Sequence, residues 1–313
     1  PPPHVPEFHM IQIHPETTQP NQMSTVARIT VEEEHFPIAG VFTISRGSKT
    51  VADVIVASAY SADGSLIGRG EAVPYKRYGE SMEGSLSSAR AVADILMSPK
   101  VADKTPLNLL HVLDELDHSL ISGAAKNCLD CALWDLQAKS SHKTIFEVCP
   151  GLPPPQVETL ETAYTISLDT AEKMADVAKK NAHRPLLKLK VGGEGDLEKV
   201  AAVHAAAPQS RLVVDANEGW KDIQTLGYLA PRLAALGVEL IEQPLKAGED
   251  LPLLKGRKFD GVVICADESC RWDAKDIPAL CECYQAVNIK LDKTGGLTNA
   301  VRLASKAREC GLK

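Results

Sequence analysis

Five strand-like stretches in the second half of this 313-residue chain each run into a charged residue, at nearly equal intervals. "LLKLKVGG" ends on Lys188 and Lys190, "VVDANEGW" on Asp215, "VELIEQPL" on Glu242, "VVICADES" on Asp267 and "AVNIKLDKTGG" on Lys290. From Lys190 onward the steps are 25, 27, 25 and 23 residues. Each step holds one strand, one helix and two loops, so the chain repeats a βα unit, and repeated βα units make a parallel sheet. A buried strand that ends on a carboxylate is costly unless the charge is paired or holds a cation. The repetition therefore bears on function as well as fold.

A parallel sheet is either doubly wound or closed as a barrel. The doubly wound form concentrates its ligand at one switch point. Here five successive strand ends are polar, which fits a TIM-type (β/α) barrel, an α/β fold whose chemistry is shared by many strand ends on one face. The glycines of "VGGEGD" match neither a P-loop nor a dinucleotide fingerprint. With "VETLETAYTISL" as the first strand, six βα units are visible. A barrel needs eight, and one left open exposes two sheet edges. The last two units are expected to be missing from this sequence.

Upstream the period changes. "VARITVEE", "AGVFTISRG" and "VADVIVASAYS" alternate like strands, "SADG" reads as a turn, and "SLIGRGEAV" follows. "SMEGSLSSARAVADILM", "LNLLHVLDELDHSL" and "GAAKNCLDCALWDLQAK" carry the helical period. Strands followed by helices predict an α+β domain, and "CPGLPPPQ" reads as a Pro-rich linker. The expected organisation is an expression leader or disordered arm over 1–22, the α+β domain over 23–150 and the barrel over 151–313. The leader has no apolar segment of the secretory kind, and its His4, His9 and His14 read as a solvated tail.

The net charge of -7 argues against a nucleic-acid partner. No apolar run approaches the roughly 20 residues that span a bilayer. Eight cysteines are sparse for this length, and Cys128/Cys131 and Cys281/Cys283 lack paired zinc-knuckle spacing. They read as small buried thiols of a reducing compartment. The expectation is a cytoplasmic enzyme acting on a small molecule without a membrane partner; self-association is left open.

Asp215, Glu242 and Asp267 fall on adjacent strands at one rim, where three carboxylates would repel without a cation. Oxygen donors with no His or Cys among them suit Mg²⁺ or Mn²⁺. Isolated helix caps or single ion pairs are the plainer reading of any one of them. Lys188 and Lys190 are two apart and face one side of their strand. Paired ammoniums are expected to lower each other's pKa and make one a base near neutral pH. Lys290 lies four strands after Lys190, across the mouth of an eight-stranded circle. A substrate carboxylate on the metal would offer its α-carbon to both amines, one removing a proton and the other returning it to the opposite face. That is racemisation or epimerisation. Asn217 and Glu268, beside the acidic residues, are expected to orient them or a lysine.

These motifs, in this order and spacing, resemble the enolase superfamily, and within it the muconate-lactonizing subgroup with its Lys-x-Lys, Asp/Glu/Asp and later lysine. "KLK", "DANEGW", "IEQPL", "ADES" and "NIKLDKTGGLT" carry the likeness. It implies that Lys190 and Lys290 are the acid/base pair, with Lys188 tuning Lys190 and contacting the substrate carboxylate. It also implies that Asp215, Glu242 and Asp267 hold the metal and that an N-terminal domain caps the barrel mouth. "FTISRGSKT" and "TAYTISLD" further resemble dipeptide epimerases of the L-Ala-D/L-Glu type. By that likeness Arg46 would pair with a glutamate side chain and Thr165 would face the substrate. The subgroup also includes o-succinylbenzoate synthases, N-acylamino acid racemases and muconate cycloisomerases, which share the metal and lysines. An inactive binding protein on the same scaffold would be expected to have lost one of the five core charges. A hydrolase on an unrelated barrel would want His at the strand ends.

Overall fold

The computed structural model describes residues 25–44, 47–116, 121, 123–155, 159–271 and 274–313. The expected leader over 1–22 and Arg46 lie outside the described residues.

The N-terminal region is an antiparallel sheet in the order β1-β2-β3, formed by β1 (Val26–Ile44), β2 (Gly47–Ser61) and β3 (Ile67–Ala72). The two strands expected at its start are one 19-residue strand, with a register irregularity between Pro37 and Phe42. Proline is tolerated there because β1 is an edge strand. Helices α1 (Met82–Met97), α2 (Pro106–Glu115), α3 (Gly123–Ser141) and α4 (Ile145–Val148) follow. Helix α3 lies directly on β3. A Cβ at Gly70 would fall 2.1 Å from the Cys128 carbonyl oxygen, and one at Gly68 2.2 Å from that of Ala132. Only hydrogen at both positions permits this approach, which seals the apolar core of the region around Ile55, Leu109, Leu129 and Leu133.

From Tyr164 the chain alternates strand and helix. β4 (Tyr164–Ile166), α5 (Ala171–Lys180), β5 (Leu186–Lys190), α6 (Asp196–Ala206), β6 (Arg211–Asp215), α7 (Ile223–Ala235), β7 (Val238–Glu242), α8 (Asp250–Leu254), β8 (Val263–Ala266), α9 (Ile277–Cys281) and β9 (Ala286–Val287) succeed one another. Helices α10 (Leu291–Thr294) and α11 (Leu297–Glu309) close the chain. All six strands are parallel and paired in sequence order from β4 to β9. A doubly wound sheet would reverse its order at a switch point; this one does not, as in a TIM-type barrel. On the outer edge of β9, Lys313 donates to Gln285 O and its own carbonyl accepts from Val287 N, each at 3.0 Å, the pattern of a parallel ladder. Strand alternation sorts the side chains. Leu187, Leu189, Val214, Ile241 and Ile264 pack outward against Met174, Val200, Leu226 and Leu233 of the helices, leaving Lys188 and Lys190 to face inward. Burying each such aliphatic side chain stabilises the fold by about 1.5–3 kcal/mol.

Strand ends are shorter than their sequence suggests. Among the described residues of "VETLETAYTISL" only Tyr164–Ile166 is strand, and Asp267 and Lys290 lie just past the ends of β8 and β9.

The N-terminal region caps the barrel through polar contacts, most of them part-buried and one exposed. Asp130 on α3 accepts from Thr298 Oγ1 at 2.5 Å and from Thr298 N at 3.2 Å, and Trp134 Nε1 donates to Thr298 Oγ1 at 2.8 Å. Asp292 on α10 accepts from Asn127 Nδ2 at 2.7 Å and Val73 N at 3.2 Å. Asp114 on α2 takes a fork from Arg302 at 3.0 and 2.7 Å. Among the described residues no helix is long and apolar enough to cross a membrane.

Candidate metal centre and flanking lysines

Parallel register brings the charges together. Lys190 pairs with Asp215, and Asp215 with Glu242, at the C-terminal ends of β5, β6 and β7, while Asp267 follows β8 directly. The carboxylate oxygens of Asp215, Glu242 and Asp267 lie within 4.8 Å of one another, and the three residues are 0%, 4% and 2% exposed. Three buried carboxylates this close are stable only with compensating positive charge.

Lysines supply it from two sides. On one, Lys188 Nζ donates to Glu242 Oε2 at 2.5 Å and lies 2.9 Å from Asp215 Oδ2. Lys190 Nζ donates to the same Asp215 oxygen at 2.7 Å and to Asn217 Oδ1 at 3.0 Å. On the other side, Lys290 Nζ donates to Asp267 Oδ2 at 2.5 Å and stands 3.8 Å from Glu242 Oε1. The triad thus lies between Lys190 and Lys290, which come from strands four apart in the sheet order.

The electrostatics follow from this layout. Burial alone would raise the Asp215 carboxyl, but Lys188 and Lys190 overcome it and hold its pKa below the ordinary value. Burial likewise opposes Asp267, yet Lys293 and Lys290 bring it down to about 2. Glu242 is pushed up, by burial first and then by the charge on Asp215. Burial pulls the Lys188 ammonium down, and the charges of Asp215 and Glu242 more than reverse that and raise it. The expected lowering is not what Lys188 shows: the attraction of Asp215 and Glu242 prevails there.

Asn217 and Glu268 lie around the triad. Asn217 N donates to Asp215 Oδ1 at 3.0 Å and its side-chain amide reaches Glu268 Oε1 at 3.5 Å. Thr165 is paired with Lys188 across β4 and β5. It lines a cavity of about 330 Å³ with Phe42, Val41, Asp169 and Lys173, and the Phe42 ring centroid is 5.8 Å from Lys190 Nζ.

Three participants escaped the sequence reading. Lys293, 5% exposed, donates to Asp267 Oδ1 at 2.5 Å, to Asn288 O at 3.0 Å and to the Asp267 carbonyl. Asn288 Nδ2 donates to Glu242 Oε1 at 2.8 Å. Gln243, fully buried, accepts from Asp267 N at 2.8 Å and Ser269 N at 3.0 Å and donates to Leu245 O at 2.9 Å, tying the loops after β7 and β8. The Lys-x-x-Lys spacing of 290 and 293 and the buried "EQP" were the available signals. Asn217, Glu218 and Gln243 have φ of 46°, 66° and 35°. Such left-handed non-glycine residues cost roughly 1–3 kcal/mol each and cluster where function demands a fixed geometry.

The donor set fits a hard divalent cation: three buried carboxylates that offer oxygen only. Residues 23–148 match the mandelate racemase / muconate lactonizing enzyme N-terminal domain, and residues 169–313 match the enolase C-terminal domain-like family. The chain belongs to this mandelate racemase and muconate lactonizing family of the enolase superfamily. It is 39% identical over 286 residues to the L-Ala-D/L-Glu epimerase of Escherichia coli strain K12, covering 91% of this chain and 83% of that protein. It is 41% identical over 251 residues to the N-acetyl-D-glutamate racemase of a Pseudoalteromonas species, covering 80% and 74%. Its fold is similar to that of a dipeptide epimerase from Enterococcus faecalis V583 complexed with Mg and the dipeptide L-Leu-L-Tyr. The TM-score is 0.82 at 27% identity, over 92% of this chain and 81% of that one.

Proposed function

We propose that this protein is an Mg²⁺-dependent epimerase of dipeptides of the L-Ala-D/L-Glu type, inverting the α-carbon that carries the free carboxylate. The observation that carries the reading is the pair of lysines across one carboxylate triad, Lys190 hydrogen-bonded to Asp215 and Lys290 to Asp267. A single base exchanges a proton on one face only; inversion needs a proton donor on the other face as well. Asp215, Glu242 and Asp267 are the residues that would hold the cation, whose chemistry there is Lewis-acid stabilisation of charge developing on the substrate carboxylate. Lys190 takes the α-proton of one epimer and Lys290 that of the other, each returning a proton to the face it serves. Lys188 stays cationic between Asp215 and Glu242 and faces the substrate carboxylate. Thr165 lines the substrate cavity, and Arg46 is assigned to the side-chain carboxylate of a glutamyl residue. Asn217 holds Lys190, and Glu268 supports Asn217. The eight cysteines stand as free thiols, which supports work in the reducing cytoplasm.

The similarity to an N-acetyl-D-glutamate racemase favours a second reading. L-Ala-Glu and N-acetylglutamate are both N-acylated glutamates; the alanyl group carries an ammonium and one more carbon than the acetyl group. Incubating the protein in D₂O with each, and with other dipeptides, ranks the substrates by deuterium incorporation at Cα. Within this test Lys290→Ala is expected to stop net epimerisation while exchange continues for one epimer, and Lys190→Ala to leave exchange only for the other. Loss of a general base costs about 10²–10⁴-fold. Epimerisation by Lys290→Ala at near the parent rate would replace the two-base reading with a one-base synthase or cycloisomerase.

A further inference from the structure

The segment of the capping domain at Lys76–Tyr78, a short 3₁₀ turn, reaches the barrel rim at a place with a direct line to Lys190. Arg77 Nε donates to Glu218 Oε2 and Arg77 Nη2 to Glu218 Oε1, both at 2.7 Å. This is the two-pronged geometry that makes arginine–carboxylate pairs directional as well as strong. The Glu218 side chain is 7% exposed and the Arg77 side chain 34%, so the pair is shielded on the barrel side.

Glu218 belongs to the loop that leaves β6, and its conformation is imposed by its surroundings. It and Asn217 are consecutive left-handed residues, which non-glycine residues avoid unless neighbours hold them. Glu218 N donates to Gln243 O at 2.9 Å, and Ala247 N donates to Glu218 Oε1 at 2.9 Å. The residue before it, Asn217, accepts the Lys190 ammonium at 3.0 Å. On the capping side the segment is anchored in turn. Glu80 accepts from Tyr75 N at 2.9 Å and from Ala124 N, in the first turn of α3, at 3.2 Å. Arg271, from the loop after β8, stacks over the Tyr78 ring at 4.7 Å. The connection runs without a break from α3 through Glu80, the 75–80 turn, Arg77 and Glu218 to Asn217 and Lys190. Lys290 is held on the far side of the triad by Asp267.

We propose that Arg77 is a positioning residue, whose forked pair with Glu218 makes seating of the capping domain and alignment of Lys190 a single event. This rests on the two-base reading above. It carries a consequence that a general role in closing the site would not. Losing Arg77 disturbs the half-reaction served by Lys190 and spares the one served by Lys290.

The test uses the full chain with Arg77→Met and Arg77→Lys, and solvent deuterium exchange at Cα measured separately from L-Ala-L-Glu and L-Ala-D-Glu. Lys190→Ala identifies the epimer that Lys190 serves. In Arg77→Met, exchange from that epimer is expected to fall roughly 10–100-fold, the range for an angstrom-scale misplacement, and from the other by less than about threefold. Arg77→Lys keeps the charge without the fork and should recover part of the loss. An equal loss for both epimers, or none, overturns the proposal. Amide hydrogen exchange of residues 214–220 supplies a readout independent of turnover. That peptide is expected to lose protection in Arg77→Met, and unchanged protection also overturns the proposal. If the parent protein exchanges neither epimer, the epimerase reading falls, and the amide measurement still decides whether Arg77 holds the loop.

Discussion

Lys293→Met separates a lysine that neutralises a proposed metal ligand from one that merely fills space. The Lys293 side chain is 2% exposed and reaches Asp267 Oδ1 at 2.5 Å, with the Asp267 and Asn288 carbonyls as its other acceptors. Methionine keeps the length and apolar bulk and deletes the charge and three donors. Breaking a buried ion pair costs about 3–5 kcal/mol. Asp267 retains Lys290 on its other oxygen, so the lower part of that range, about 3–4 kcal/mol, applies without metal. At about 2 °C per kcal/mol for a chain of this size, Tm is expected to fall by roughly 6–8 °C in EDTA. Saturating Mg²⁺ restores positive charge at Asp267 and leaves mainly the two orphaned carbonyls, about 1–2 kcal/mol or roughly 2–4 °C. The variant should therefore gain about 4 °C more from Mg²⁺ than the parent does. Scanning calorimetry of both proteins in both buffers measures this. An equal loss with and without Mg²⁺ would refute the argument, because Lys293 would then be a packing residue with no electrostatic tie to the triad.

The carboxylate triad makes a simpler demand. Asp215→Asn, Glu242→Gln and Asp267→Asn should each abolish epimerisation and weaken Mg²⁺ binding in titration calorimetry; full turnover by EDTA-treated parent protein would count against the metal assignment. Asp130 makes stability depend on pH: burial outweighs its hydrogen bonds from Thr298 and lifts its pKa from 3.8 to about 6. A raised carboxyl binds more protons in the folded than in the unfolded state between those values. Its contribution is present below pH 3.8 and is lost as pH rises through about 6. The loss is of order 3 kcal/mol. Asp130→Asn should flatten that slope in urea unfolding followed across the interval, and an unchanged slope would exclude Asp130 as its source.

The barrel and the triad were legible in the chain because both rest on local regularities. A strand alternates its faces, so Lys188 and Lys190 had to share one. Parallel βα units place every strand end at the same rim, so charges spaced about one unit apart had to meet there. Nothing local says where a strand stops pairing. β9 keeps only two ladder residues and β4 three, because hydrogen bonding at the mouth depends on the neighbouring strands. Beyond its spacing from Lys290, nothing in "KLDKTGG" marks Lys293 out from its neighbours, and only the turn after β9 aims it at Asp267, 26 positions earlier. The pairing of Arg77 with Glu218 spans 141 positions. Periodicity reports which face a residue occupies within its own element, but contact between elements is set by how the capping domain seats on the barrel. The sequence by itself determined the kind of rim and the charges on it. Only the tertiary structure decided which charge holds which, since that follows from distances of a few ångströms between segments far apart along the chain.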